Sequence, residues 1–530
     1  MSKIWKLAHG SRLTAHGSRL TAHGSRLTAP PFAQTLIMEL FYYFVVGIYS
    51  LALLYITIYC VLQFQLLYFY KRAAPKPLSA PRPADAWPLV TVQLPIFNEL
   101  YVIERLIDAV CAFDYPQDKL EIRILDDSTD ETVDIVAEKV AEYRAKGFDI
   151  VHALRDDRVG YKAGALKHDM QFAKGEFLAI FDADFLPRPD FLQRTMPHFA
   201  DERAGVVQTR WEHINEDYSL ITRLQALQLN VHFTVEQSGR QAGDVLLQFN
   251  GTAGVWRRAC IEDAGGWEAD TLTEDLDLSI RAQLRGWKIR YLEAVGSPAE
   301  LPAEMNGLKS QQFRWMKGGA ETAKKMLPTV WRSDLELRQK IQATGHLLAS
   351  TIFVFVFVAG VFSVPVLFAV PALDLDPRLY TFFLVGWLSI ISIYYVGNVQ
   401  AELRAGEDLP WWRKLLKFVV LFPVFLALSM GLSLHNTFAV LQGYFGKQSP
   451  FVRTPKFAIN GMGDTFKKTK YRQYKINWVT VFEGVLALYF IAGMVLGFRT
   501  GNHMFLLFHG LLAFGFGTIF YYTLRHLSVK

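Results

Sequence analysis

Residues 41–70 contain no charged side chain and are mostly apolar. At 1.5 Å per residue, a helix of that length crosses a hydrocarbon layer of about 30 Å. Comparable apolar runs recur at 346–373, 379–397, 415–441, 478–498 and 504–522. Residues 71–340 hold none. Short apolar stretches there alternate with amphipathic ones. The pattern predicts strands at 89–95, 120–125, 149–153 and 177–181, with helices at 99–113, 131–146 and 161–173. Strand–helix repetition of this kind builds a mostly parallel sheet. A soluble α/β domain is therefore expected between membrane segments.

Charge orients the segments. Lys71 and Arg72 follow the first run at once and place that end in the cytoplasm. The stretch 442–477 carries Lys447, Arg453, Lys456, Lys467, Lys468, Lys470, Arg472 and Lys475 against the single acid Asp464, so it too is expected to be cytoplasmic. An even number of crossings must then separate it from the 71–340 domain, yet three apolar runs intervene. The run 409–441 is the one expected not to cross. It opens with the amphipathic Leu409-Pro-Trp-Trp-Arg-Lys414, and Pro423 is expected to interrupt it. Five crossings result, with the C-terminal Arg525 and Lys530 inside. The alternative is that 409–441 spans and the parity fails elsewhere.

Residues 8–28 are three copies of Ala-His-Gly-Ser-Arg-Leu-Thr. Seven residues with one Leu cannot bury a shared face, so no solenoid is expected. A translated 21-base repeat, with a working start at Met38, is the reading of this stretch. The expected divisions are a repeat-bearing extension 1–37, a membrane helix 38–70, a cytoplasmic catalytic domain 71–340, and membrane or interfacial helices 341–530 that include the basic loop 442–477.

Composition narrows the class. Apolar residues are 51%, charged residues 20% and mean hydropathy is +0.15, which excludes a disordered chain. A net charge of +6 is small for 530 residues and does not call for a nucleic-acid partner. Three dispersed cysteines exclude a disulfide framework and a zinc ribbon.

The candidate chemistry lies where the strands end, since ligands of parallel sheets bind beyond the carboxyl ends of strands. Asp182 and Asp184, at i and i+2 after an apolar strand, point the same way and suit a shared hard divalent cation. The blander reading is a solvated loop. Asp126-Asp127-Ser128 reads equally as a turn and helix cap. Lys162 opens a helix, where a cation opposes the dipole and an anionic partner would suit it, though a solvated lysine reads equally well. Thr273-Glu274-Asp275 precedes a helix at 276–284. Spacing does not separate an N-cap with first-turn acids from a general base at Asp275. Gln311, Arg314 and Trp315 fall on one helical face: Arg314 can clamp a diphosphate and Trp315 can carry a sugar ring, or the three can belong to an interfacial helix.

Taken in order, Asp126-Asp127, Lys162, Asp182-Ala-Asp184, Thr273-Glu-Asp275 and Gln311-Gln-Phe-Arg-Trp315 resemble the family 2 glycosyltransferases of the cellulose synthase-like group. Residues 88–330 carry the resemblance. The strings Ile124–Asp130, Phe249–Gly254 and His232–Gln237 look closest to the plant A and C branches, which make mannan and xyloglucan backbones. The resemblance implies a Rossmann-like GT-A domain inserted in a multi-pass α-helical membrane domain. It implies nucleotide-sugar contacts at Asp126, Asp127, Lys162, Asp182, Gln311 and Arg314, and Mg2+ or Mn2+ on Asp182 and Asp184. It makes Asp275 the base and puts Glu274 and Trp315 at the acceptor. Phe451-Val-Arg-Thr-Pro-Lys456 is similar to the gating loop of cellulose synthases, which adds Thr454 and Lys456 to the donor site. From the short stretch after the last apolar run, no C-terminal cyclic-dinucleotide domain of the kind bacterial cellulose synthases carry is expected.

The expected partners are UDP-glucose or GDP-mannose, a β-linked (1,4) polysaccharide acceptor, the lipid bilayer and an accessory export subunit, with no nucleic acid. The expected location is a bacterial inner, plasma or Golgi-type membrane. Two other readings stand beside this one. The first is an enzyme adding one sugar to a lipid, as in ceramide glucosyltransferases. The second is a transporter or scaffold with an inactive domain.

Overall fold

The computed structural model describes residues 31–73, 87–401, 410–447, 449, 453–459 and 477–528. The repeat at 8–28 and most of the basic loop 442–477 lie outside these residues.

Residues 87–300 fold around one seven-stranded sheet of order β3-β2-β1-β4-β6-β5-β7. The strands are β1 (Val90–Ile96), β2 (Leu120–Asp126), β3 (Asp149–Leu154), β4 (Phe177–Ile180), β5 (Ala204–His213), β6 (Gly254–Arg257) and β7 (Lys288–Ala299). The first four strands pair in parallel, β6 runs antiparallel to β4 and β5, and β5 and β7 are parallel. This is the GT-A arrangement. The expected parallel sheet holds except at β6, whose reversal brings the turn Asn250–Ala253 back beside the end of β4.

The strands read as near-continuous apolar runs because both faces are covered. Val90, Val92, Leu94, Ile122, Ile124 and Ala179 are wholly buried. Helices Ile103–Cys111 and Thr132–Ala145 close one face, and helices Leu220–Val231, Arg258–Asp263 and Glu274–Leu284 the other. The helix expected over 99–113 is shorter, starting at Ile103, which leaves Glu99 in the loop at the end of β1.

Among the described residues six helices are long and apolar enough to cross a membrane: Thr35–Arg72, Ala349–Ala372, Tyr380–Gln400, Trp411–Gly431, Trp478–Arg499 and Leu506–His526. The first belongs to a continuous helix, Pro31–Arg72, which starts ahead of the boundary expected at 38. Pro423 does not interrupt its segment. It sits inside helix Trp411–Gly431, and the break falls at Leu432, before helix Ser433–Tyr444. Neighbouring helices can satisfy the carbonyl that a proline frees, which is why apolar helices tolerate it. Both ends of this pair return to the catalytic domain. Lys417 pairs with Glu216 at 3.1 Å, and the carbonyl of Lys447 accepts from Lys317 Nζ.

Candidate active site

The end of β4 delivers Asp182 and Asp184 into a cleft. The Asp182 backbone N–H donates to Thr252 Oγ1 at 2.8 Å, and the Glu300 N–H donates to the Asp184 carbonyl at 3.1 Å. The turn after β4 is thereby fixed to the reversed strand on one side and to the end of β7 on the other. Each carboxylate faces an ammonium: Lys162 Nζ pairs with Asp182 Oδ1, and Lys456 Nζ with Asp184 Oδ2.

Lys162 stands in the first turn of helix Tyr161–Asp169. Its ammonium also donates to the Gly251 carbonyl at 2.8 Å. Burial works against its charge, but Asp182, Glu274 and Asp275 outweigh it and raise the lysine pKa. The approach to this helix is organised by Asp127. Its carboxylate takes two hydrogen bonds from Arg155, at 2.6 and 2.5 Å, while Arg155 donates further to the carbonyls of Val159 and Tyr161. A Cβ on Gly164 would lie 1.9 Å from the Val159 oxygen, so the loop closes only on glycine there.

Asp126 realises the turn reading. Its Oδ1 accepts from the Ser128 N–H at 2.8 Å and its Oδ2 meets His152 Nε2 at 2.8 Å, with the residue 2% exposed. The neighbouring loop is locked to the same turn, since the Asn98 N–H donates to Ser128 Oγ.

Thr273 holds the N-cap position of helix Glu274–Leu284, with Glu274 and Asp275 in the first turn, but its side chain makes no capping bond and its hydroxyl pairs with Thr322. Within that turn Asp275 Oδ1 accepts from the Leu276 N–H at 2.8 Å. Burial and the adjacent Glu274 push the Asp275 pKa up to about 7, against the Leu276 N–H and Lys162, which lower it. The Glu274 carboxyl is raised as well, chiefly by burial. A carboxylate with a pKa near 7 can take a proton at physiological pH and release it again.

Gly251 fits between these groups. Its φ is +79°, and a Cβ there would stand 3.1 Å from Asp275 Oδ2 and 3.6 Å from Lys162 Nζ. Sequence spacing did not single out Gly251 or Thr252. Their signal was the string 249–254, which had entered only through the resemblance.

Gln311, Arg314 and Trp315 lie in helix Met305–Arg332, as their spacing predicts. Burial lowers the Arg314 pKa, opposed by Asp182, Glu274, Asp184 and Glu99, so this guanidinium faces an acidic cleft. Its Nη2 donates to Thr454 Oγ1 at 2.7 Å. Gln311 is half-buried and has no hydrogen-bond partner among the described residues. Residues 453–459 lie across the cleft as a strap. Arg453 donates twice to Glu99, at 2.9 and 2.7 Å, Lys456 reaches Asp184, and the Phe457 N–H donates to Glu300 at 2.9 Å. Glu99 and Glu300, which anchor the strap, are the second pair of residues the sequence did not reveal.

A second acid cluster lies elsewhere. The ligand atoms of Glu268, Asp270 and Asp277 fall within 4.8 Å of one another. Lys325 Nζ pairs with all three, so a lysine supplies the positive charge there.

A cavity of about 490 Å³ starts at Asp275 and Trp315 and continues between the membrane helices. Its lining includes the polar His232, Glu236, Arg240 and Asn250 and the apolar Val356, Trp387 and Phe508.

Residues 88–318 match the family described as "Glycosyltransferase like family 2". The chain is 44% identical over 254 residues to glucomannan 4-beta-mannosyltransferase 1 of Oryza sativa subsp. japonica, covering 47% of this chain and 49% of that one. It is 44% identical over 252 residues to glucomannan 4-beta-mannosyltransferase 2 of Arabidopsis thaliana, covering 47% of each. The chain thus spans about half the length of the curated relatives it matches. Among solved structures, the mannosyltransferase PcManGT from Pyrobaculum calidifontis, in complex with GDP-Man and Mn2+, aligns at a TM-score of 0.48 and 20% identity, covering 76% of this chain and all of that one. Residues 88–318, which hold the cleft described above, thus form a domain of the glycosyltransferase-like family 2 type.

Proposed function

We propose that this chain is a membrane-embedded inverting glycosyltransferase that extends a β-1,4-linked polysaccharide from a nucleotide-sugar donor. The observation that carries this reading is the continuity of the cavity: it begins at Asp275 and Trp315 and runs on between apolar helices. An elongating chain needs a way out that starts at its own acceptor end. The mannosyl transfer named for both plant relatives favours GDP-mannose over UDP-glucose as donor.

The chemistry follows from the cleft. Asp275 takes the proton from an acceptor hydroxyl as that oxygen attacks the anomeric carbon in line, which inverts an α-linked donor to a β-linkage. Arg314 and Lys162 offset the negative charge that develops on the departing nucleoside diphosphate. Trp315 stacks on the acceptor sugar, and Glu274 holds the Asp275 pKa up. Asp126 and Asp127 shape the loop at the base end of the donor site through Ser128, His152 and Arg155, Gln311 flanks its other end, and Thr454 and Lys456 cover it. Asp182 and Asp184 are hard-oxygen donors on one turn, and each already stabilises a cation, so they fit Mg2+ or Mn2+. A bound ion there would supply Lewis-acid charge to the diphosphate.

The contacts at Lys417 and Lys447 support a re-entrant helix pair at 411–444, five crossings and a cytoplasmic catalytic domain. An accessory export subunit would act on the far side. The apolar residues of the cavity lining also suit a lipid acceptor, the second reading.

Membrane vesicles given radiolabelled GDP-mannose or UDP-glucose, with Mn2+ or Mg2+, separate the two. Insoluble label released by β-mannanase is the expected product. Label confined to the organic extract replaces the synthase with a glycolipid enzyme. No label from either donor refutes both.

A further inference from the structure

Helix Met305–Arg332 carries Arg314 and Trp315 into the cleft, and its opening turns are the meeting point of three membrane-side helices. The Met305 N–H donates to His526 Nδ1 at 3.0 Å, at the end of helix Leu506–Ser528. The Lys309 carbonyl accepts from His435 Nε2 at 3.0 Å, on helix Ser433–Tyr444. The Lys309 ammonium pairs with Glu483 at 2.6 Å, on helix Trp478–Arg499. The side chains of this pair are 7% and 0% exposed. Neither belongs to the cavity lining or to the cleft.

Burying two opposite charges at the edge of an apolar layer is costly, and attraction repays the cost only in one well-fitted geometry. Such a pair resists sliding in a way that apolar contacts do not. A one-turn slip would leave two uncompensated charges in a dry environment. The pair therefore fixes the register of helix Met305–Arg332 against helix Trp478–Arg499.

That register reaches the cleft along the helix itself. Arg314 follows Lys309 in the same helix and donates to Thr454 of the strap. The strap is thus tied to helix Met305–Arg332 through Arg314.

We infer that Lys309 and Glu483 form a positioning clasp that holds Arg314, Trp315 and the strap in register over the cleft. The part that concerns turnover rests on the transferase reading above. The clasp touches no reacting atom.

Two measurements on detergent-solubilised protein test it. The first needs no activity. Ala458 of the strap is half-buried against the sheet core, and the native cysteines Cys60, Cys111 and Cys260 are buried. A cysteine introduced by Ala458→Cys reports strap docking through its labelling rate with a charged maleimide. Adding Glu483→Gln or Lys309→Met is expected to speed labelling at least threefold. The exchanged pair, Lys309→Glu with Glu483→Lys, is expected to return it to within twofold of the parent. The pair Lys309→Met with Glu483→Leu removes both buried charges and so keeps the fold, and its labelling is expected to stay fast.

The second measurement is sugar transfer at saturating donor. The single variants are expected to lose tenfold or more in kcat, with the exchange recovering most of it. Unchanged labelling in the single variants, or slow labelling in the apolar pair, overturns the clasp. A parent that transfers no sugar overturns the transferase reading, while the labelling series still decides the clasp.

Discussion

The two carboxylate pairs at the ends of β2 and β4 look alike in sequence and differ in what surrounds them. Asp126 and Asp127 are used up by their own neighbourhood: a turn N–H, a histidine, and two hydrogen bonds from Arg155. Asp182 and Asp184 meet flexible ammonium groups from distant segments, and beside them lie Glu274 and Asp275, whose charges burial disfavours. The first pair has its positive partner built in by rigid guanidinium geometry. The second stands in a region of surplus negative charge that a cationic ligand would relieve. Carboxylates that organise a loop are distinguished from carboxylates that await a ligand by the partners that tertiary structure brings, not by spacing.

If that contrast is right, the largest loss comes from the β4 side of the cleft. Asp275→Asn removes the proposed base and is expected to lower transfer by about 10²–10⁴-fold, the usual worth of a general base. The same change is expected to stabilise the protein above pH 7. A folded pKa of about 7, raised from 3.8 by burial and Glu274, means that the folded state prefers the protonated form. Its contribution is whole below the unfolded pKa and is lost as pH rises through the folded one. The asparagine variant escapes that loss. Transfer rates and thermal midpoints measured at pH 6 and 8 check both parts, and a variant that transfers normally places the base elsewhere.

Next in size is Asp184→Asn. The divalent-ion concentration giving half-maximal transfer is expected to rise by at least about 10–100-fold, the range seen when even the outer-shell partners of metal ligands are altered. Manganese titration of the activity reads it directly. Asp127→Asn should behave in the opposite sense. Loosening the Arg155 anchor frees the loop before Lys162, so the thermal midpoint falls and the donor KM rises about tenfold, while kcat at saturating donor stays near the parent value. A collapse of kcat in Asp127→Asn with normal stability would erase the distinction between the two pairs.

The sequence carried the frame of this comparison well. The strands of the β3-β2-β1-β4 half were legible because two-sided burial writes them as apolar runs, and the two aspartate pairs were legible because they sit where such runs end. What faces the motifs was not. Glu99 and Arg453 are 354 residues apart, and Lys309 and Glu483 are 174. No local period links residues at those separations. Asn250–Ala253 were hidden for another reason: β6 has only four residues and reverses direction, so neither strand length nor βαβ alternation announced it. Pro423 shows the converse error, a local rule for helix breaking that an apolar environment overrides.

Gly251 gives the finest test of how tightly the β4 side is built. Gly251→Ala adds one methyl at a φ of +79°, a region that favours glycine, within 3.1 Å of Asp275 Oδ2. The strain and the contact both displace the carboxylate by a fraction of an ångström, and misplacement on that scale is expected to cost on the order of tenfold in kcat. The pH profile shows which of the two acts. In the parent, transfer is expected to fall as pH drops below about 7, because the proposed base must be ionised. A methyl that packs against Asp275 withdraws it further from water, which disfavours the charged form and moves this acid limb upward. A methyl that only bends the loop away from Lys162 lowers kcat and raises donor KM with the limb in place. An upward shift therefore assigns Gly251 to the electrostatics of the base, and an unmoved limb assigns it to donor binding.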